Sequence, residues 1–120
     1  MIKSINDLEI YKSAYDLALK IHTITNTYAK EEKYSLIDQI RRSSRSVAMN
    51  IREGFAKRKY ENIFIRHLVD ALGSSEETRG WLNFSKDFEY IDVNIFIEMD
   101  NCYDQLNSKL HRTITNWKTF

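Results

Sequence analysis

Leu36-Ile37-Asp38-Gln39-Ile40-Arg41-Arg42-Ser43-Ser44-Arg45-Ser46-Val47-Ala48-Met49-Asn50-Ile51-Arg52-Glu53-Gly54-Phe55 carries an apolar repeat through a run rich in arginine and serine. Leu36, Ile40, Val47, Ile51 and Phe55 step through it by about 3.6 residues, the repeat of a helix with one apolar side. Ser35 just ahead, with Asp38 three residues later, is a helix-start signal. The spacing predicts a helix from about 35 to about 56.

The same pattern extends in both directions. Upstream, Asn6 with Glu9 reads as a cap, and Leu8, Tyr11, Ala14, Tyr15, Ala18, Ile21, Thr25 and Tyr28 recur on one face, giving a helix over about 6–28. The charged run Lys30-Glu31-Glu32-Lys33 reads as a solvated connection. Downstream, Lys57-Arg58-Lys59 weakens helix two, after which Ile63, Phe64, Leu68, Ala71, Leu72, Ser75, Leu82 and Phe88 predict a helix over about 60–88. Gly73 and Gly80 inside it each cost about 1 kcal/mol relative to Ala, so a close helix approach is the expected reason for them. Asp92 caps a last helix over about 92–118, with Val93, Phe96, Met99, Cys102, Tyr103, Leu106, Leu110, Ile114 and Trp117 on its apolar stripe. Four amphipathic helices joined by loops of about 4–6 residues predict an all-α, antiparallel up-down-up-down four-helix bundle spanning residues 1–120 as one domain. Leu36, Ile40, Val47, Ile51, Leu68, Leu72, Met99, Leu106 and Leu110 are its expected core.

Composition agrees. The chain has 120 residues, 42% hydrophobic and 29% charged, with seven Tyr, six Phe and two Trp, enough apolar material for one core. Three Gly and no Pro leave too few turn residues for a sandwich or barrel. The single cysteine, Cys102, excludes an internal disulfide framework and suits a reducing compartment, so a cytoplasmic location is expected. The first residues meet charge at Lys3 and Asp7, and no run approaches the ~20 apolar residues of a membrane span. Neither a secretory leader nor a membrane anchor is expected.

Chemistry-bearing constellations are sparse. A di-metal bundle needs Glu-x-x-His pairs, but the residues three positions before His22, His67 and His111 are Leu19, Phe64 and Ser108. A mononuclear site from His67, His111 and Cys102 is the weaker alternative to packed or surface histidines. Cys102 lies on an apolar stripe between Met99 and Leu106, where a thiol behaves as a small hydrophobe. Gly54, Gly73 and Gly80 are too far apart to form a phosphate-cradling loop. The expectation is a non-enzymatic chain with no cofactor and no metal.

Charge singles out helix two. Between Arg41 and Lys59 stand seven basic residues (Arg41, Arg42, Arg45, Arg52, Lys57, Arg58, Lys59) against Glu53, a local charge of +6 in a chain whose total is +1. Arg41, Arg45, Arg52 and Lys59 fall within a ~40° sector, a ridge about 27 Å long at the helical rise. Such a ridge can follow a phosphate backbone, and Arg41, Arg45, Arg52, Lys57, Arg58 and Lys59 are the candidate RNA or DNA contacts. It can equally dock on an acidic side of another subunit, and the sequence pI of 7.8 lacks the basic excess of a dedicated nucleic-acid domain. Beside the ridge, Gln39, Arg42, Ser46, Asn50 and Glu53 form a polar row within about 80°; Arg42 is placed to reach Asp38, and Glu53 to reach Lys57 or another helix. Buried at a helix or subunit boundary, that row would fix register through hydrogen bonds. Trp81, Phe84, Tyr90 and Ile95 are expected on the outside, more apolar surface than one bundle needs, which suggests a protein-protein contact.

The segment Gln39 to Gly54 resembles the second-helix signature of the bacterial four-helix bundle family encoded by intervening sequences in 23S ribosomal RNA genes, also labelled S23 ribosomal protein. Leu8-Glu9-Ile10-Tyr11 with Ala14 is similar to the family's opening. Glu32, Tyr34, Leu36 and Gln39 are similar to its entry into helix two, and Ala71-Leu72-Gly73-Ser74 with Glu77 and Thr78 to its third-helix motif. The resemblance implies a ring-shaped homopentamer. It also implies kinship with the accessory variability determinant of diversity-generating retroelements, a more basic bundle that binds reverse transcriptase and nucleic acid. Its motif residues fall here on Arg42, Ser46, Asn50, Glu53, Gly54, Gly73, Ser74 and Glu77, mostly without an assigned role.

The sequence departs from the family twice. Ala48 stands where a proline is common, leaving helix two free to run straight, and Arg52 replaces a usual alanine, adding to the basic ridge. Two functions therefore stand side by side: an oligomeric scaffold that binds RNA or DNA without sequence preference, or a protein-only module that assembles and docks a partner such as a reverse transcriptase.

Overall fold

The structure is a computed structural model and describes residues 2–117. Four helices, α1 (Glu9–Thr25), α2 (Leu36–Ala56), α3 (Glu61–Asp87) and α4 (Val93–Asn116), form an all-α four-helix bundle measuring 48 × 25 × 20 Å. Each helix packs on the next in sequence, and α1 closes the ring of four against α4. Among the described residues there is no strand. No helix among them is long and apolar enough to cross a membrane.

Side-chain hydrogen bonds set the helix ends, and they move two boundaries away from the periodicity. Asp7 turns its carboxylate back to accept from the Lys3 and Ser4 N–H groups at 3.0 and 3.1 Å, while Ser4 Oγ accepts from Asn6 N–H at 3.3 Å. This closes a 3₁₀ turn over Ile5–Asp7, so α1 begins at Glu9 and not at Asn6. At its other end α1 stops at Thr25 instead of reaching Tyr28. Arg41 of α2 crosses over and donates to Thr25 Oγ1 (2.8 Å), Asn26 Oδ1 (2.9 Å) and the His22 carbonyl (3.3 Å). A cation on the last carbonyls is the favourable end for a helix dipole. Beyond this point Tyr28 packs on Tyr90 from the loop, ring centroids 5.1 Å apart.

Ser35 precedes α2 but does not cap it: its hydroxyl donates to Glu32 Oε1 at 2.5 Å. The Asp92 carboxylate does cap α4, accepting from Ile95 N–H at 2.8 Å. α2 runs unbroken through Ala48, as the missing proline allows. Its helix ends at Ala56, so Lys57, Arg58 and Lys59 lie past it and the ridge along α2 stops at Arg52. The C-terminus of α3 closes on Glu89 at φ 64, with Tyr90 N–H bonding the Ser85 carbonyl at 2.9 Å. The end predicted for the fourth helix, residue 118, lies outside the described residues.

Leu36, Ile40, Val47, Ile51, Leu68, Met99, Leu106 and Leu110 are buried together with Phe64 and Tyr103. Leu72 is only half-buried, because it lines an open groove between α3 and α4. Trp81, Tyr90 and Ile95, expected outside, pack half-buried against the core; Phe84 remains 51% exposed. Gly73 and Gly80 also depart from expectation, since a Cβ at either would meet nothing within 4 Å. The close approach belongs to Gly54, whose Cβ would lie 2.7 Å from that of His67.

Candidate functional site

Of the polar row of α2, Ser46 and Asn50 meet α3, whereas Gln39, Arg42 and Glu53 are exposed. Ser46 Oγ lies 3.0 Å from Ser74 Oγ, and Asn50 Nδ2 donates to the Ser46 carbonyl and hydroxyl at 3.1 and 3.2 Å. Asn50 Oδ1 is 3.3 Å from His67 Nδ1, and Lys57 Nζ is 3.3 Å from His67 Nε2. The Lys57 ammonium can only donate, so His67 accepts at Nε2 and donates its Nδ1–H to Asn50. A second crossing follows toward the start of α2: Thr78 Oγ1 donates to Ser43 Oγ at 2.8 Å. These bonds tie α2 to α3 along most of their shared length, and the close Gly54 contact admits them.

Outside this seam Gln39, Arg42, Arg45, Ser46, Ser74 and Glu77 line an open groove of about 580 Å³. Arg42 is placed near Asp38 at 3.7 Å with its side chain 70% exposed. Glu77 accepts from Trp81 Nε1 at 3.0 Å, and from Trp81 a line of rings leads along α3 through Phe84 and Phe88 to Tyr90, at centroid spacings of 5.6, 5.8 and 5.9 Å. Phe84 and Phe88 are each about half exposed. Of the motif residues, Glu53 is exposed with no hydrogen-bond or ion-pair partner among the described residues, and Gly73 lies on the α3/α4 groove instead.

The basic residues divide into two groups. Arg41 is engaged with α1 as described, and Arg52 donates to Tyr11 Oη at 3.1 Å with its guanidinium 5.5 Å from that ring's centroid. Arg58 stacks on Phe55 at 3.9 Å. Arg45, Arg52, Lys57 and Lys59 are exposed, though Arg52 is held on Tyr11, Arg45 Nε also donates to the Arg41 carbonyl at 3.0 Å and Lys57 reaches His67.

The sequence reading missed a cluster between α3 and α4. Arg79 makes a two-pronged contact with Asp100 at 2.8 and 3.2 Å and also reaches Glu76 at 3.0 Å and Asp104 at 3.5 Å. Asn107 Nδ2 donates to the same Glu76 at 2.8 Å. The Asp100 bond, foremost, holds the Arg79 guanidinium in its charged form. Glu76 three residues before Arg79 was a readable local signal, but the α4 partners depend on the packing. Among the described residues no three His, Cys, Asp or Glu side chains gather as metal ligands, and Cys102 is a half-buried free thiol on α4.

The chain is thus an all-α four-helix bundle with hydrogen-bonded helix seams and open polar grooves. Residues 6–112 match the 23S rRNA-intervening sequence protein family, and the chain belongs to that family. A crystal structure from Bacteroides thetaiotaomicron, described as a protein with unknown function from the S23 ribosomal protein family, aligns over 89% of this chain and 99% of its own. At 24% identity and a TM-score of 0.78 it shows a shared fold. Among curated proteins, none matches significantly.

Proposed function

We propose that the protein is a non-enzymatic, cytoplasmic helical-bundle scaffold that assembles with copies of itself through the outer α2/α3 face. The observation that carries this reading is the continuity of the polar groove at Arg42, Ser74 and Glu77 with the half-exposed rings of Phe84 and Phe88. Aromatic and arginine anchors beside satisfied polar groups are what protein interfaces are enriched in. The order that the family resemblance implies, and that we propose here, is five. Phe84→Asp with Phe88→Asp should lower the mass of the assembly while leaving the helical circular dichroism intact; unchanged mass would remove the face from the interface.

A second reading, RNA or DNA binding, draws on the exposure of Arg45, Lys57 and Lys59. Five copies of this cluster would add weak contacts through effective concentration. Phosphate contacts release counterions, so affinity should fall steeply with salt, and Arg45→Ala, Lys57→Ala and Lys59→Ala together should flatten that slope. Absence of binding at low salt would leave the protein-only module, with a docked partner protein as its cargo.

A further inference from the structure

The bundle has a second open seam on the side away from the α2/α3 groove. Between α1 and α4 lies a trough of about 330 Å³, with half-buried Ile24 and Ile95 and buried Met99 as apolar lining and Leu19, 53% exposed, at its rim. Lys20 stands on the α1 lip and Glu98 on the α4 lip. Both are exposed, and neither has a hydrogen-bond or ion-pair partner among the described residues.

An apolar trough with one unpaired cation on one lip and one unpaired anion on the other is complementary to itself. Rotating a copy by 180° about an axis parallel to the helices sets α1 of each copy over α4 of the other. Each Lys20 then faces Glu98 of the second copy, and Leu19 of each is covered. A two-fold contact of this type uses the same patch twice, so every pair it makes is made in duplicate. The rim charges would set orientation and partner choice, while the apolar lining supplies the burial.

We infer that the α1/α4 face is a contact between two copies of this chain, with Lys20 and Glu98 as the reciprocal charge pair. This goes beyond the α2/α3 assembly and uses none of its residues.

Sedimentation of single variants and of their mixture tests it. Lys20→Glu and Glu98→Lys should each place like charges opposite one another and lower the assembly mass at least twofold. An equimolar mixture of the two should regain the wild-type mass, because opposite charges face each other again at both positions. Leu19→Asp should lower the mass without rescue by either. Single variants that keep the wild-type mass, or a mixture that fails to recover it, would overturn the contact. All three positions are exposed, and circular dichroism checks that each variant folds. If Phe84→Asp with Phe88→Asp lowers the mass and the Lys20 and Glu98 variants do not, the α2/α3 assembly stands and this contact falls. The opposite pattern retains this contact and removes the other.

Discussion

Gly54 of α2 sits directly against His67 of α3: a Cβ added at Gly54 would lie 2.7 Å from the His67 Cβ and 3.1 Å from Phe64 Cδ1. The first of these neighbours is fixed to the backbone, so α2 and α3 would have to part. Gly54→Ala should therefore destabilise by about 1–3 kcal/mol, outweighing the gain of about 1 kcal/mol that alanine brings to a helix interior. Gly73→Ala and Gly80→Ala, exposed and with nothing near the new Cβ, should each stabilise by about 1 kcal/mol. Urea unfolding of the three variants checks the split.

Tyr103 is fully buried, and its hydroxyl has no hydrogen-bond partner among the described residues. Burial, foremost, pushes its ionisation well above the ordinary tyrosine range. The folded state thus keeps the proton longer than the unfolded chain, so stability is fully present below the unfolded pKa of about 10 and falls as pH rises above it. Tyr103→Phe should raise stability at neutral pH by about 1 kcal/mol, since an unsatisfied buried hydroxyl is removed. It should also blunt the loss between about pH 10 and 11, measured by thermal melts across that range.

Glu32 shows the opposite sign. The Ser35 hydroxyl first, and the Tyr90 hydroxyl at 2.9 Å next, hold its carboxyl below the ordinary carboxylate range. Its folded pKa is depressed, so the link between the α1/α2 and α3/α4 loops is present above the unfolded value and is lost as pH falls through the folded one. Carbon-detected NMR titration should find Glu32 titrating below an unfolded glutamate, and Tyr90→Phe should move it upward.

Arg41 and Arg45 lie one turn apart on the same ridge but should behave differently. Arg41→Ala removes the bonds to Thr25, Asn26 and the His22 carbonyl. It should cost about 1–3 kcal/mol, as expected for losing hydrogen bonds to a charged group. Arg45→Ala should leave stability within about 0.5 kcal/mol, as for an exposed position. Chemical unfolding of both variants tests whether the inner arginine acts as a bundle brace.

The four helices were legible because their apolar residues recur at helical spacing, and the buried Leu36, Ile40, Val47 and Ile51 carry that signal plainly. Two kinds of feature were not. Periodicity assigned Leu72 to the core but cannot see that α3 and α4 leave a groove there, so Leu72→Ala should cost less than Leu106→Ala, for which about 2–5 kcal/mol is expected at a buried site. The charge ridge was readable on a helical wheel, yet a wheel does not show that Arg41 and Arg52 fold back on Thr25 and Tyr11. The Arg79–Asp100 pair, 21 residues apart on two helices, left no local trace, and Gly54 became intelligible only once His67 stood opposite it.

Self-assembly of the bundle can be read from multi-angle light scattering of the wild-type protein at micromolar concentration. The scattering should give a mass of several chains, five if the order implied by the family resemblance holds. A mass of 14.3 kDa, that of one chain, would contradict it.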